Sequence, residues 1–115
     1  VEKLRFSICG WTAEHAGGFA EALPFFTSLK KLELSENDLS DEGAKILANS
    51  LKENKTITKI NLTRNDIGDG GAIALAECLQ ANNTITEIYL NQNKIGDGGA
   101  IALAETLKAN NTITE

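Results

Sequence analysis

Residues 57–84, ITKINLTRNDIGDGGAIALAECLQANNT, recur at once as residues 85–112, ITEIYLNQNKIGDGGAIALAETLKANNT. The two copies align without a gap and differ at seven of 28 positions. A fixed period of this length predicts a stack of like units, none of which can bury its apolar face alone. The register runs back through residues 29–56 and, more faintly, through 1–28, and residues 113–115 open a further copy. The 115 residues therefore read as a single repeat domain in four units and a fragment. A start at Val1 and a stop inside a repeat read as a piece of a longer chain.

Each regular unit follows one plan. Leu29, Leu32, Leu34, Asn37 and Leu39 correspond to Ile57, Ile60, Leu62, Asn65 and Ile67, and then to Ile85, Ile88, Leu90, Asn93 and Ile95. The alternation around Leu32–Leu34 has the period of a strand, so each unit should contribute one strand to a parallel sheet. The stacked asparagines are expected to turn inward and bond backbone groups that the turn leaves unpaired. A helix should follow. Ala72, Leu75, Ala76 and Leu79 fall at i, i+3, i+4 and i+7, and Ala44–Leu51 and Ala100–Leu107 repeat the spacing. Asp41, Asp69 and Asp97 are placed to cap the start of their own helices. Asn54, Asn82 and Asn110 should end them in the left-handed conformation.

The first unit keeps this apolar pattern with other residues. Leu4, Phe6, Cys9 and Trp11 stand where Leu32, Leu34, Asn37 and Leu39 stand next, Cys9 being the small, weakly polar substitute. Pro24 should end its helix. Phe6, Trp11, Phe19, Phe25 and Phe26 read as an aromatic cover over an end layer.

The pattern L-x-x-L-x-L-x-x-N-x-L, followed by G-A-x-x-L-A-x-x-L and N-x-T, resembles the leucine-rich repeats of the ribonuclease-inhibitor subtype, as in NOD-like receptors and Ran GTPase-activating proteins. The resemblance implies an α/β fold, a right-handed leucine-rich-repeat solenoid or horseshoe. Its parallel sheet would be concave and its helices convex. It also implies a module that binds another protein.

The differences between the near-identical copies point to where binding would sit. Five lie on the strand or its exit: Lys59/Glu87, Asn61/Tyr89, Thr63/Asn91, Arg64/Gln92 and Asp66/Lys94. Two, Cys78/Thr106 and Gln80/Lys108, lie on the helix. Strand side chains alternate faces, so with Leu62 and Leu90 in the core their neighbours reach the concave surface. The candidate partner-binding residues are Lys31, Glu33, Lys59, Asn61, Thr63, Arg64, Glu87, Tyr89, Asn91 and Gln92, with Tyr89 at the centre of its own unit's face. The competing reading is that these positions are merely free of packing constraint.

Other chemistry finds little footing. The net charge of -5 is shared evenly among the units, so no basic block points to nucleic acid. No apolar run approaches the roughly 20 residues of a membrane span. Ile-Gly-Asp-Gly-Gly-Ala lacks the lysine of a phosphate loop, and Ile67 cannot ligate calcium, so no cofactor or metal is expected. His15, the only histidine, has no catalytic partners in the sequence, so the chain reads as a non-enzyme. Two unpaired cysteines suit a reducing, cytoplasmic compartment. The N-x-Thr sequons at Asn54, Asn61, Asn82 and Asn110 read as by-products of turns, or as glycosylation sites in a secreted protein. The function expected is a protein-interaction module. The alternatives are regulation of a GTPase and a structural fragment without a ligand. Uncapped terminal repeats would favour end-to-end self-association.

Overall fold

The computed structural model describes residues 2–7 and 9–109, with side chains to residue 106. Four strands, β1 (Lys3–Arg5), β2 (Lys31–Glu33), β3 (Lys59–Asn61) and β4 (Glu87–Tyr89), form one sheet in chain order. All pairings are parallel, and each residue faces the one 28 positions on: Leu4 beside Leu32, Leu32 beside Ile60, Ile60 beside Ile88. Between strands run α1 (Ala13–Ala22), α2 (Ser40–Leu51) and α3 (Asp69–Ala81), and α4 (Asp97–Ala109) follows β4. The expected α/β leucine-rich-repeat fold is present, with the sheet as the concave layer and the helices as the convex one. The parallel strands need these crossovers, since a tight hairpin cannot connect them.

The core lies between the layers. Leu32, Ile60 and Ile88 at the strand centres are buried, as are Leu34, Leu62, Leu39 and Ile67. From the helices come Ala44, Leu47, Ala48, Leu51, Ala72, Leu75, Ala76 and Leu79, the face that the sequence spacing predicts. In α4 the equivalent Ala100 and Ala104 are exposed, and Leu107 lies outside the described side chains.

The asparagine ladder behaves as expected and joins successive units. Asn93 Nδ2 donates to Leu62 O of the preceding unit and to Leu90 O of its own, both at 3.0 Å. Its Oδ1 accepts from Asn65 N at 2.8 Å and Ile67 N at 3.0 Å. Asn65 donates back to Leu34 O, and Asn37 to Phe6 O, each at 2.8 Å.

The aspartates depart from expectation. Asp41 does not cap α2. Its Oδ1 accepts from Gly68 N at 2.6 Å and Gly71 N at 3.0 Å, at the start of α3. Asp69 does the same for Gly96 and Gly99 at the start of α4. Each carboxylate lies within its own first turn and reaches across to the next helix, whose N–H groups are otherwise free. Glycine is required for the approach: a Cβ on Gly71 would stand 2.7 Å from Ile67 Cγ2 and 2.9 Å from Asp41 Oδ1.

Asn82 also departs from expectation. It is extended, with φ -110° and ψ 118°, and neither it nor Asn54 adopts positive φ. Its side chain explains its presence. Nδ2 donates to Leu51 O and Asn54 O of the unit before, while Oδ1 accepts from Thr84 N and Ile85 N. Asn110 lies outside the described residues.

The first unit closes on itself. α1 stops at Ala22, where a 3-10 turn, Leu23–Phe25, admits Pro24. Phe6 stacks on Trp11 at 4.6 Å, and Phe19 lies near both and near Phe26. Phe25 does not join them and is 84 % exposed, because the 3-10 turn rotates it outward. Among the described residues no Asp side chain caps α1. Thr12 and His15 form a local capping box there instead, with Thr12 N donating to His15 Nδ1 at 3.0 Å.

Replacing Asn65 with Leu removes the donor to Leu34 O and Thr63 O and the acceptor for Leu39 N, and leaves Leu34 O with Asn37 Nδ2 alone. Such a change is expected to cost about 2–4 kcal/mol. Urea denaturation measures the loss, and an effect under about 0.5 kcal/mol would show the ladder to be dispensable.

Candidate functional site

Each strand is three residues long, with its middle residue in the core and its outer two on the concave face. The register lays out two columns: Lys3, Lys31, Lys59, Glu87 and Arg5, Glu33, Asn61, Tyr89. A third follows at the strand exits, where Ser7 Oγ and Ser35 Oγ lie 3.2 Å apart.

The predicted residues gather into two neighbouring clusters. In the first, Tyr89 OH donates to Glu87 Oε2 at 2.6 Å, and Lys59 Nζ lies 5.3 Å from the centre of the Tyr89 ring. The ring is thus held between a carboxylate and a cation, half-buried, with its position fixed before any partner arrives. In the second, Arg64 Nε donates to Gln92 Oε1 at 2.7 Å, and its Nη1 pairs with Glu36 at 3.4 Å. Asn61, Thr63, Arg64 and Gln92 line, with Ser35 and Glu36, a depression of about 240 Å³. Lys31, Glu33 and Asn91 share the face without a side-chain part in either cluster.

The strand exits carry a feature not visible in the repeat pattern. Glu36, Arg64 and Gln92, at one repeat position, all have φ between 56° and 59°. Left-handed backbone is uncommon without glycine. The turn tips these side chains toward the concave rim, where they stack. The signal available was their spacing directly before each ladder asparagine.

The differences between the copies prove to be partly complementary. Lys94 Nζ bonds Asp66 Oδ1 at 2.7 Å, which raises the Lys94 pKa. Gln92 receives Arg64, and Glu87 lies beside Lys59. Identical residues would have stacked like charges at each of these places. On the helix side, Cys78 and Thr106 are both buried, so that difference is a core exchange. Thr106 Oγ1 bonds Ala76 O and Ala102 O.

Sequence reasoning missed a groove of about 600 Å³ on the far edge. Leu23, Pro24, Phe26, Lys52, Asn54 and Thr56 are among its lining. Cys78 lies in the core, and burial pushes its thiol from 9.0 up to about 11, with Lys52 opposing. Among the described residues no helix is long and apolar enough to cross a membrane.

Strands in 28-residue register, an asparagine ladder and one helix per strand define a leucine-rich-repeat protein. Residues 9–115 match the model of the TMOD/LMOD leucine-rich domain, and the chain belongs to that family. The solved structure of Leiomodin-1 Actin-Binding Site 2 is similar over 97 % of this chain, with a TM-score of 0.85 and 32 % identity. This chain spans 66 % of that one. The human NACHT, LRR and PYD domains-containing protein 13 is 40 % identical over 55 residues, which is 48 % of this chain and 5 % of that protein.

Thiol labelling at about pH 8 is expected to modify exposed Cys9 and spare Cys78 until the chain unfolds. The native state favours the neutral Cys78 thiol, so stability should fall as pH rises from 9.0 toward 11. A Cys78→Ala variant should lose that decline in alkaline denaturation curves.

Proposed function

We propose that this leucine-rich-repeat stack is a non-enzymatic module that binds another protein through its concave face. The proposed contact set is Lys31, Glu33, Lys59, Asn61, Thr63, Arg64, Glu87, Tyr89, Asn91 and Gln92. One observation carries the proposal: Tyr89 is clamped between Glu87 and Lys59 on the concave side of β4. A rigid, half-exposed aromatic with a polar tip loses little entropy on binding. Residues 1–115 act together as one domain in this reading, because each unit borrows hydrogen bonds from its neighbour. The 28-residue period supports assignment to the ribonuclease-inhibitor-like subtype and to a continuing solenoid. Two free thiols support a cytoplasmic setting. End-to-end association through the terminal repeats is a further proposal.

Actin is the partner to try first, because the structurally similar leiomodin domain is described as an actin-binding site. The TMOD/LMOD family match and the leiomodin structure favour a binding module over the GTPase-regulating alternative.

Co-sedimentation with filamentous actin, and depletion assays with monomeric actin, test the partner. Tyr89→Ala is expected to weaken a bound partner by about 1–3 kcal/mol, with the unfolding midpoint unchanged within about 0.5 kcal/mol. Tyr89→Phe should separate the ring from its hydroxyl. Affinity unmoved by Tyr89→Ala would remove Tyr89 from the binding site.

A further inference from the structure

We infer that the β1–β3 half of the concave face binds an extended acidic segment of a partner protein. This rests on the reading of that face as the binding surface, and it names the chemistry the face selects. Lys3, Lys31 and Lys59 occupy one column on three adjacent strands. Neighbouring strands lie about 4.8 Å apart, well inside the screening length of about 8 Å at physiological salt. Arg5 stands two residues along from Lys3 on the same face. Glu33, beside Arg5, is the only carboxylate on these two columns before β4. The chain as a whole is acidic, at -5, so this patch runs against its background.

Like charges directly opposite one another destabilise a sheet. The molecule avoids that arrangement nearby. Arg5 faces Glu33, Arg64 pairs with Glu36, Lys94 with Asp66, and Glu87 follows Lys59. Among the described residues, Lys3, Lys31 and Lys59 take part in no ion pair, and Lys59 is directed at the Tyr89 ring. Three stacked lysines serve no evident purpose in holding the sheet. They make a row of cations suited to carboxylates projecting from one side of an extended peptide laid across the strands. At the β4 end the column turns to Glu87, which repels a carboxylate there. The segment that fits is therefore acidic over β1–β3 and neutral or basic over β4.

Anisotropy of a fluorescein-labelled hexaglutamate peptide on the full chain tests this, with hexaglutamine and hexalysine as controls. Hexaglutamate is expected to bind, and to weaken at least tenfold between about 50 and 500 mM salt. The controls should stay unbound. Lys31→Glu should weaken hexaglutamate about tenfold or more while raising the unfolding midpoint, because it relieves the stacked charge. Lys31→Gln serves if the reversal misfolds. Lys45→Glu, on α2, should change nothing. Binding of hexaglutamine, or indifference to both Lys31 variants, would overturn the inference. So would tighter binding of a single-stranded oligonucleotide of equal charge, which would reassign the patch to nucleic acid. Should Tyr89→Ala weaken actin while hexaglutamate stays unbound, the acidic segment falls and the concave face stands. Should neither Tyr89→Ala nor Lys31→Glu affect a bound actin, both fall.

Discussion

Side chains that reach from one unit into the next hold this molecule together. Asn37, Asn65 and Asn93 bond the turn of the unit before, and Asp41 and Asp69 cap the helix of the unit after. Asn82 ties helix ends in the same way. All but the exposed Asp69 are buried or half-buried, and each has partners that exist only when the neighbouring unit is folded. Apolar burial favours stacking in many registers, since it is non-directional. A carbonyl at 2.8 Å and an N–H at 3.0 Å exist in one register only. The apolar core thus supplies the drive to stack, and the amides and carboxylates fix the 28-residue offset.

That division of labour explains what could be read from residues alone. The period, the strand centres, the helix faces and the inward asparagines are repeated chemistry, and repetition makes them legible. The capping aspartates stand at helix starts, as the spacing predicts, but Asp41 and Asp69 serve the next helix. Sequence adjacency suggests a local cap, while the short distance between parallel helices makes the neighbour equally reachable. Asn82 likewise suggests a left-handed helix end by residue type, while its side-chain bonds across the stack are what require it. Phe25 belongs with the other aromatics by sequence, yet a 3-10 turn beside Pro24 sends it outward. Composition carries no signal for such a rotation.

The candidate surface was legible in part. The columns followed directly from the register. What the spacing could not convey was which side chains contact each other. Arg64 and Gln92, or Asp66 and Lys94, read as unrelated variation until the strands are paired. The left-handed exits at Glu36, Arg64 and Gln92 that bring such pairs together depend on the turn, and no glycine marks them.

Divergence between near-identical units therefore has two physical sources here. One is the stack itself. Copying a unit perfectly would place Asp on Asp and Arg on Arg at the rim, so a second copy gains stability by changing sign or losing charge. The other is whatever lies on the face. Positions 66/94 and 64/92 are accounted for by the first source, because the changed residues pair with the ones they replace. Asn61/Tyr89 is not, since an asparagine stacked on an asparagine carries no charge to relieve. Neither is the unbroken run Lys3, Lys31, Lys59, where the stabilising change was available and was not made. Those positions are where folding leaves a cost standing or a choice unexplained, and they are the ones on which the proposed partner-binding role rests.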